Sequence, residues 1–356
     1  MKIKRKPLIN EELGVFVRGI IIGKVLTLMV IGGLFYWMLK SHLFSAMTVD
    51  SSSQKLSNIA SPTQSTFRSI TSVPPGVFNY GGSAAWAPIR QMVDSQIQGE
   101  HPELKLRYVN PTNESPGSGS GIRMLLNGEL DFAQSSRPFT PSELTTAQQR
   151  GFTLTARQVG IDAIAVVVNP SLSVSSLTIK QLQQIYQGQI TNWKLLGGPD
   201  LPITPFSQLR EDADTVVFSG EKNFALPASS PNLQYINSAT EALRLINKTP
   251  GGLYYGSARA LVPQCMVKAL SLSVTSTSAI PPYLEPLVPP QQCPHQRNQI
   301  NTTAIKNGSY PITSKLYVII KQNKGKSEQA GDAYTKLLLT NQGQEAIERS
   351  GFIGVR

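Results

Sequence analysis

Two Ser- and Gly-rich strings in the middle of the chain carry residue types that bind an anion. Residues 117–122 read Gly-Ser-Gly-Ser-Gly-Ile, and residues 131–138 read Asp-Phe-Ala-Gln-Ser-Ser-Arg-Pro. Both strings place hydroxyls and small residues where a strand or loop can turn into a helix. Backbone N–H groups at such a turn lie at the positive end of the helix dipole and donate to anions. The strings therefore predict an oxyanion site.

The spacing within the first string argues against two other kinds of site. Its glycines, Gly117, Gly119 and Gly121, lack the spacing of the dinucleotide fingerprint. A hydrolase elbow needs a serine at the centre, where Gly119 stands. A Gly-Ser string is more often a flexible loop than a ligand site. The position before a helix and the second string favour ligand binding here.

The sequence as a whole argues against catalysis. The 356-residue chain has three histidines, and its sequence shows no metal-ligand cluster and no activated nucleophile. We therefore expect a protein that is not an enzyme, with no catalytic residue, no metal site and no cofactor.

Composition indicates a globular protein with a basic surface. Hydrophobic residues make up 40% of the chain, charged residues make up 15%, and the formal net charge is +11. The first 24 residues hold +4 of that charge, which leaves +7 for the rest. No basic run has interleaved aromatic residues, so we expect no nucleic-acid partner.

An apolar segment near the N-terminus predicts a membrane anchor. Residues 20–39 are apolar except for Lys24, and the segment is long enough to span a bilayer as a helix. Tyr36 and Trp37 stand near its far end. The basic residues precede the span, so the positive-inside rule places the residues after it on the exported side. A cleaved signal peptide is the alternative, but Phe44 stands where cleavage needs a small residue. An uncleaved anchor is favoured.

This anchor sets the expected order of segments. Residues 1–19 would be a basic cytoplasmic N-terminus, 20–39 a single transmembrane helix, and 40–76 a flexible linker rich in Ser, Thr and Gln. The protein would lie in the inner (plasma) membrane with its folded part on the periplasmic or extracellular side. In that oxidising compartment, the fate expected for Cys265 and Cys293 is one disulfide that closes the Pro-rich loop between them.

Strand-like and helix-like stretches alternate after residue 77, which predicts an α/β fold with parallel strands. Residues 161–168 form a nearly continuous apolar run, which is typical of a strand buried on both faces. Residues 271–313 are expected to be mostly loop, and 330–350 to be one helix that stops at Gly351. The other predicted strands are 77–80, 105–109, 201–206, 252–255 and 315–321, and the other predicted helices are 86–98, 122–127, 178–187 and 240–247.

Several short motifs, in order, resemble the phosphate-binding substrate-binding proteins of ABC importers, a type 2 periplasmic-binding-protein family, in its membrane-linked bacterial branch. The Thr-Asn-Trp of 191–193 with the Gly-Gly-Pro of 197–199 is the most distinctive. The resemblance covers about 77–356. The matching stretches are 80–88, 117–122, 130–137, 190–194, 197–200, 210–218 and 342–352.

The resemblance implies a bilobal fold in which two α/β lobes, joined by two crossing strands, close on an anion. Lobe one would comprise 77–157 and 265–356, and lobe two 158–264. The expected ligand is inorganic phosphate or a similar oxyanion, and the expected partners are ABC permease subunits, with the receptor itself a monomer. The residues that the resemblance assigns to the ligand are Ser83, Ala84, Ala85, Ser118, Gly119, Ser120, Ser135, Ser136, Arg137, Arg210, Asp214 and Thr215.

The chain departs from the family pattern at several of these positions. Ala84 and Ala85 stand where hydroxyls are usual, and Ser136 stands where the family places the carboxylate that accepts the ligand's proton. The loop that begins at Arg210 is one residue short, and its Asp214 would either accept that proton or repel the ligand. If Arg137 and Arg210 do not bind the ligand, each would form a local ion pair. The alternative function is therefore a membrane-tethered sensor or scaffold with weak or lost anion binding.

Overall fold

The fold is built on a mixed β-sheet. The computed structural model describes residues 65–208, 232–275, 278–293 and 295–356. In these residues the strands are β1 (Gly76–Gly82), β2 (Leu104–Tyr108), β3 (Phe132–Ser135), β4 (Thr153–Val168), β5 (Ser176–Thr178), β6 (Thr204–Gln208), β7 (Gln234–Ile236), β8 (Gly252–Ser257), β9 (Lys268–Ser273), β10 (Thr313–Gln322) and β11 (Ile353–Gly354).

Helices cover and connect these strands. They are α1 (Ala87–Glu100), α2 (Ser118–Asn127), α3 (Pro141–Gln149), α4 (Ile179–Tyr186), α5 (Ala239–Lys248), α6 (Ala258–Leu261), α7 (Thr302–Lys306), α8 (Lys326–Leu338) and α9 (Asn341–Arg349). Short 3₁₀ turns lie at Phe67–Ser69, Ala84–Trp86, Trp193–Leu196 and Pro290–Gln292. The α/β class predicted from the sequence is confirmed.

The long strand β4 divides the sheet into two parts. Strand order is β2-β1-β3-β10-β4-β8-β6-β7, with β11 and β9 also on β4 and β5 on β9. Residues 153–163 of β4 pair with β10, and residues 164–168 pair with β8. We define lobe one as the part of the sheet from β2 to residues 153–163 of β4, together with its helices. We define lobe two as residues 164–168 of β4 with strands β5–β9 and the helices between them.

The prediction of parallel strands is correct only away from the centre of the sheet. Pairs β1–β2, β1–β3, β6–β7, β6–β8 and β5–β9 are parallel. Pairs β10–β3, β10–β4 and β4–β8 are antiparallel. The sequence-based prediction was wrong at the centre because β4 runs from lobe one into lobe two and β10 returns beside it, which a helix-and-strand alternation does not reveal.

Side-chain alternation on the lobe-one strands explains why helices lie on both faces of that sheet. Phe132 and Ile320 are buried with α1 and α8 on one face, while Ala133 and Ile319 are buried with α2 on the other. Residues 163–168 of β4 are all buried. The apolar run predicted this, because such a run is typical of a strand that is covered on both faces.

The lobe boundaries drawn from the sequence remain a prediction. Apolar packing groups Val267, Leu270 and Leu272 with the lobe-two core, together with Tyr283 and Tyr310. All five lie in the segment 265–356 that the sequence assigned to lobe one.

The folded part begins before residue 77. Phe67, in the segment expected to be linker, is fully buried, and its backbone N–H donates to the side chain of Gln342 at 2.9 Å. Its carbonyl lies 2.8 Å from Nε2 of the buried His101. Ile70 and Val73 pack against the same core as Phe67, so this segment is anchored on lobe one by three apolar side chains in a polar stretch.

The single helix predicted over 330–350 is two helices. α8 ends at Leu338, and Thr340 caps α9 by accepting a hydrogen bond from the backbone N–H of Gly343 at 3.0 Å. A side chain at Gly343 would lie 2.5 Å from the carbonyl oxygens of Leu337 and Leu338. The glycine thus lets α9 turn back against the end of α8.

The disulfide is confirmed: Cys265 and Cys293 are bonded, with Cα atoms 5.6 Å apart. The expected membrane span at 20–39 and most of the expected linker lie outside the described residues. Within the part of the chain that the structure describes, no helix has the length and apolarity to cross a bilayer.

Candidate functional site

The first loop of the candidate site leaves the carboxyl end of β1. Gly82 has φ +124°, and any side chain there would collide with the carbonyl of Gln134 on the neighbouring strand β3. The backbone N–H of Ser83 donates to that same carbonyl at 2.9 Å. Ser83 is buried, with 1% of its surface exposed. Strands β1 and β3 therefore fix Ser83 at the edge of the sheet where ligands of α/β proteins bind.

The second loop starts helix α2 beside the first loop. Gly117 is the N-cap, and the helix runs from Ser118 to Asn127, which confirms that the Gly-Ser string opens a helix. A side chain at Gly121 would lie 2.5 Å from the Cα of Gly82. A helix can come this close to β1 only because both positions are glycine, so the N-terminus of α2 lies directly behind Ser83.

The third loop joins the other two at Ser136. Its backbone N–H donates to the Ser118 hydroxyl at 2.8 Å, and its hydroxyl lies 2.8 Å from that of Ser83. Ser83, Ser118 and Ser136 are all buried. The structure thus brings one serine from each of the three predicted loops into a single hydrogen-bonded cluster, which we call the serine cluster.

The serine cluster can still donate to a ligand. Each hydroxyl has one proton and two lone pairs, so the bond between Ser83 and Ser136 uses only one of their two O–H groups. The second O–H can be directed at an anion, next to the N–H groups at the start of α2. Burial strengthens such bonds because water does not compete for them.

Ser120 and Ser135 hold their own loops in shape. The Ser120 hydroxyl accepts from the backbone N–H of Gly117 at 2.8 Å and approaches the carbonyl of Gly117 at 3.0 Å. The Ser135 hydroxyl accepts from the backbone N–H of Arg137 at 3.2 Å and donates to the carbonyl of Arg137. Both side chains are placed beside the serine cluster, in contacts that position the backbone. Their assignment to the ligand stays a prediction.

Arg137 reaches the start of α2 but is bound by a carboxylate. Its two terminal nitrogens donate to both oxygens of Glu143, at 2.8 and 3.0 Å. A side chain at Gly119 would lie 3.4 Å from the guanidinium, so the cation lies against the second loop. The side chains of Arg137 and Glu143 are only 15% and 17% exposed. This bidentate pair is the local ion pair that the sequence left as the alternative for Arg137.

The Glu143 carboxyl is held in its charged form. Burial works to raise its pKa, but the hydrogen bonds from Arg137 and from the Thr140 backbone together outweigh burial, and the pKa lies below its usual value. Thr140 and Glu143 also form the capping box of α3. The Thr-x-x-Glu spacing was readable in the sequence, but its link to Arg137 depends on the fold.

The assignment of the other residues to the ligand stays a prediction. Ala84 and Ala85 form the 3₁₀ turn after Ser83, where Ala84 is exposed and neither side chain can donate a hydrogen bond. Arg210, Asp214 and Thr215 lie outside the described residues, so the contribution expected from lobe two stays a prediction. None of the described residues forms a cluster that could ligate a metal.

Sequence reasoning missed a buried network directly beneath the serine cluster. Gln134, fully buried on β3, accepts from Arg90 at 3.1 Å and donates to the Tyr334 hydroxyl at 3.0 Å. The hydroxyls of Tyr80 and Tyr334 both donate to Asp94. The network fixes the residue whose carbonyl holds Ser83. No sequence pattern marks it, because its members come from β1, α1, β3 and α8.

A second missed residue is Ser314, at the start of β10. It is buried, and its hydroxyl donates to the carbonyl of Ser136 at 2.6 Å. The third loop is thereby bonded to a strand that passes beside β4.

Comparison with known proteins places this arrangement in a family. The family model of the PBP superfamily domain matches residues 69–342. The chain belongs to the PBP superfamily. Protein SphX of Synechococcus elongatus is 22% identical over 280 residues, which covers 76% of this chain and 75% of that protein. Phosphate-binding protein PstS of Staphylococcus epidermidis is 23% identical over 279 residues, covering 76% and 77%.

Solved structures of PBP superfamily members share the fold. An ABC-type phosphate transport receptor from Vibrio cholerae is 22% identical with a TM-score of 0.58, covering 78% of this chain and 99% of the receptor. A phosphate-binding protein from Stenotrophomonas maltophilia is 14% identical with a TM-score of 0.53, covering 79% and 91%. The predicted bilobal architecture is confirmed. The S. epidermidis relative is named as a phosphate-binding protein and the V. cholerae structure as a phosphate transport receptor, in agreement with the prediction that this chain is a binding protein and not an enzyme.

Proposed function

We propose that this protein is an exported, membrane-anchored substrate-binding protein that captures phosphate or a similar oxyanion between its lobes and delivers it to an ABC importer. The observation that carries the proposal is the serine cluster, in which Ser83, Ser118 and Ser136 meet at the start of α2. Hydroxyls and backbone N–H groups at a helix N-terminus suit a desolvated anion. The names of the relatives support phosphate as that anion.

In this proposal the ligand closes the protein by contacting both lobes. Lobe one supplies the serine cluster, and the loop around Arg210, Asp214 and Thr215 supplies a cation and a hydroxyl from lobe two. Closure is a population shift, driven by contacts that the anion makes only when the lobes are together. The protein acts as a monomer, anchored in the inner membrane by residues 20–39, with its lobes on the outer side and permease subunits as partners.

A sensor or scaffold with weak anion binding is the second candidate. The observation that favours it is the bidentate pair between Arg137 and Glu143, which neutralises the cation that lies against the second loop. Ala84 and Ala85 add no side-chain donors to the first loop.

Titration calorimetry of the full-length protein distinguishes the two candidates. The receptor proposal expects saturable binding of inorganic phosphate, no competition from sulfate, and loss of binding in Arg210→Ala. The matched control is Arg244→Ala, an arginine on α5 outside the assigned site. A folded protein that gives neither binding heat nor thermal stabilisation with either anion would contradict the receptor and favour the sensor.

A further inference from the structure

The apolar run of β4 contains one charged residue, at the point where the strand passes from lobe one to lobe two. Asp162 interrupts the run 161–168 and is only 5% exposed. Its neighbours on either side, Ile161 and Ala163, both pair with β10, and the next residue, Ile164, pairs with β8. A carboxylate is costly to bury unless its partners stabilise it. Its position at the crossing therefore calls for a role.

Towards lobe one, Asp162 faces the strand that holds the third loop. Asp162 and Ser314 are directly opposite in the antiparallel pair of β4 and β10. Side chains at opposite positions lie on the same face, with Cβ atoms about 5 Å apart. Ser314 in turn donates to the carbonyl of Ser136. Asp162 therefore lies opposite the residue that is bonded to the third loop.

Towards lobe two, Asp162 holds the start of α6. The Ser257 hydroxyl donates to Oδ1 of Asp162 at 2.9 Å, and Ser257 is the last residue of β8 and the N-cap of α6. The carboxylate of one crossing strand is thus bonded to an element of lobe two.

Arg259 supplies the opposite charge. Burial raises the pKa of Asp162 to about 6, while the Ser257 hydrogen bond, the charge of Arg259 and the N–H of Ala163 counteract it in part. The Nε of Arg259 is buried without a hydrogen-bond partner in the described part of the chain. The Arg259 guanidinium lies 5.3 Å from the ring of Phe352, beside β11 of lobe one. Arg259 therefore contacts lobe one from a helix of lobe two.

We propose that Asp162 is a positioning residue for lobe closure, because it is bonded to Ser257 at the start of α6 and lies opposite Ser314, the residue that holds the loop at Ser136. It does not touch the ligand. It favours the arrangement of the crossing strands in which both lobes reach the anion, so its removal speeds release of the anion more than it slows capture. This inference rests on the proposed function, because it needs a ligand that closes the lobes.

The experiment compares association and release of radiolabelled phosphate by rapid filtration in the full-length protein. The variants are Asp162→Ala, Ser257→Ala and the double variant. The control is Glu328→Ala, a partly buried carboxylate that accepts from the backbone N–H of Asn323 at 2.7 Å, away from the crossing. We expect about tenfold faster release in Asp162→Ala and Ser257→Ala, with association within about twofold of wild type. The double variant should be no faster than the faster single variant, since each substitution alone already removes the hydrogen bond between Ser257 and Asp162.

The outcomes separate this inference from the function on which it rests. Wild type that binds phosphate while the variants release it at the wild-type rate would overturn the role of Asp162 and leave the receptor intact. A lower melting temperature with an unchanged release rate would overturn it equally, because the residue would then only stabilise the fold. Wild type that binds no phosphate would overturn the proposed function and this inference with it.

Discussion

Two carboxylates, the half-buried Asp94 in lobe one and the buried Asp162 at the strand crossing, have different surroundings. Burial raises the pKa of each to about 6. Asp94 accepts from two tyrosine hydroxyls, and the network continues through Gln134 to Arg90, whose guanidinium lies 3.9 Å from the centre of the Tyr108 ring. Asp162 has one side-chain hydrogen bond from Ser257 and a nearby cation.

The difference is the one expected if a rigid site lies beside a strand crossing that takes part in the proposed closure. A polar network in which the members bond one another holds a single arrangement, so the loops above Gln134 are preformed. A carboxylate with few partners, next to an arginine whose Nε has none among the described residues, can exchange contacts when the lobes move. We expect the two clusters to respond differently to substitution.

The largest effect is expected from Asp94→Leu. It leaves the hydroxyls of Tyr80 and Tyr334 without their acceptor and Arg90 without a neighbouring negative charge. We expect a loss of about 3–5 kcal/mol in the free energy of unfolding, measured by urea titration. Asp162→Leu should cost about 1–3 kcal/mol, since Asp162 accepts one side-chain hydrogen bond and its cation, Arg259, is only partly buried. An equal or larger loss at Asp162 would contradict the comparison.

Gly82→Ala tests the contact between the network and the first loop. The added methyl group would collide with the Gln134 carbonyl, at a backbone conformation that favours glycine. We expect a loss of about 2–4 kcal/mol in the free energy of unfolding, together with weaker phosphate binding. In the control Gly99→Ala, a helical glycine with no atom near its added Cβ, stability should rise by about 0.5–1 kcal/mol. A neutral Gly82→Ala would show that β1 and β3 are not held as described.

The pH dependence of stability should identify both carboxyls. Each pKa is higher in the folded protein than its value of 3.8 in the unfolded chain, so the folded state binds more protons between pH 3.8 and about 6. Stability from each group is therefore greatest at low pH and falls as pH rises through that window, by at most about 3 kcal/mol. The difference in unfolding free energy between wild type and Asp162→Asn, and between wild type and Asp94→Asn, should decrease from pH 4 to pH 7. A difference that increases with pH would contradict the raised pKa values.

An exposed carboxylate gives the lower limit of the comparison. Asp200 lies 3.1 Å from Lys194, and both side chains are 69% exposed. Water screens such a pair, so Asp200→Asn should change the free energy of unfolding by less than about 0.5 kcal/mol. The same urea titrations measure it, and a loss comparable to that of Asp162→Asn would show that burial is not what distinguishes these carboxylates.

Local patterns allowed much of lobe one to be predicted. The Gly-Ser string opens α2 because Gly117 caps it and Gly121 permits close packing on β1, and both features are visible as residue types. The apolar run that ends at Val168 is a buried strand, and this feature too is visible from residue types. The fold also agrees with the family resemblance, which rested on the order of several weak motifs.

The features that could not be predicted depend on contacts between distant residues. Arg137 is paired with Glu143 and Gln134 with Tyr334 through the packing of separate elements. The break between α8 and α9 depends on where Gly343 meets Leu337, which helix periodicity does not show. Asp162 was visible as the one charge in an apolar run, but its meaning requires the register of β4 against β10.

Hydrogen–deuterium exchange of the full-length protein, with and without inorganic phosphate and with sulfate as the control, would show whether the serine cluster binds the anion. We expect phosphate to slow amide exchange in the three loops of the serine cluster, at 83–86, 117–121 and 135–137, and in the loop that begins at Arg210, whereas sulfate should not. Unchanged exchange at the serine cluster, or slowing confined to another surface, would refute the assignment of this site.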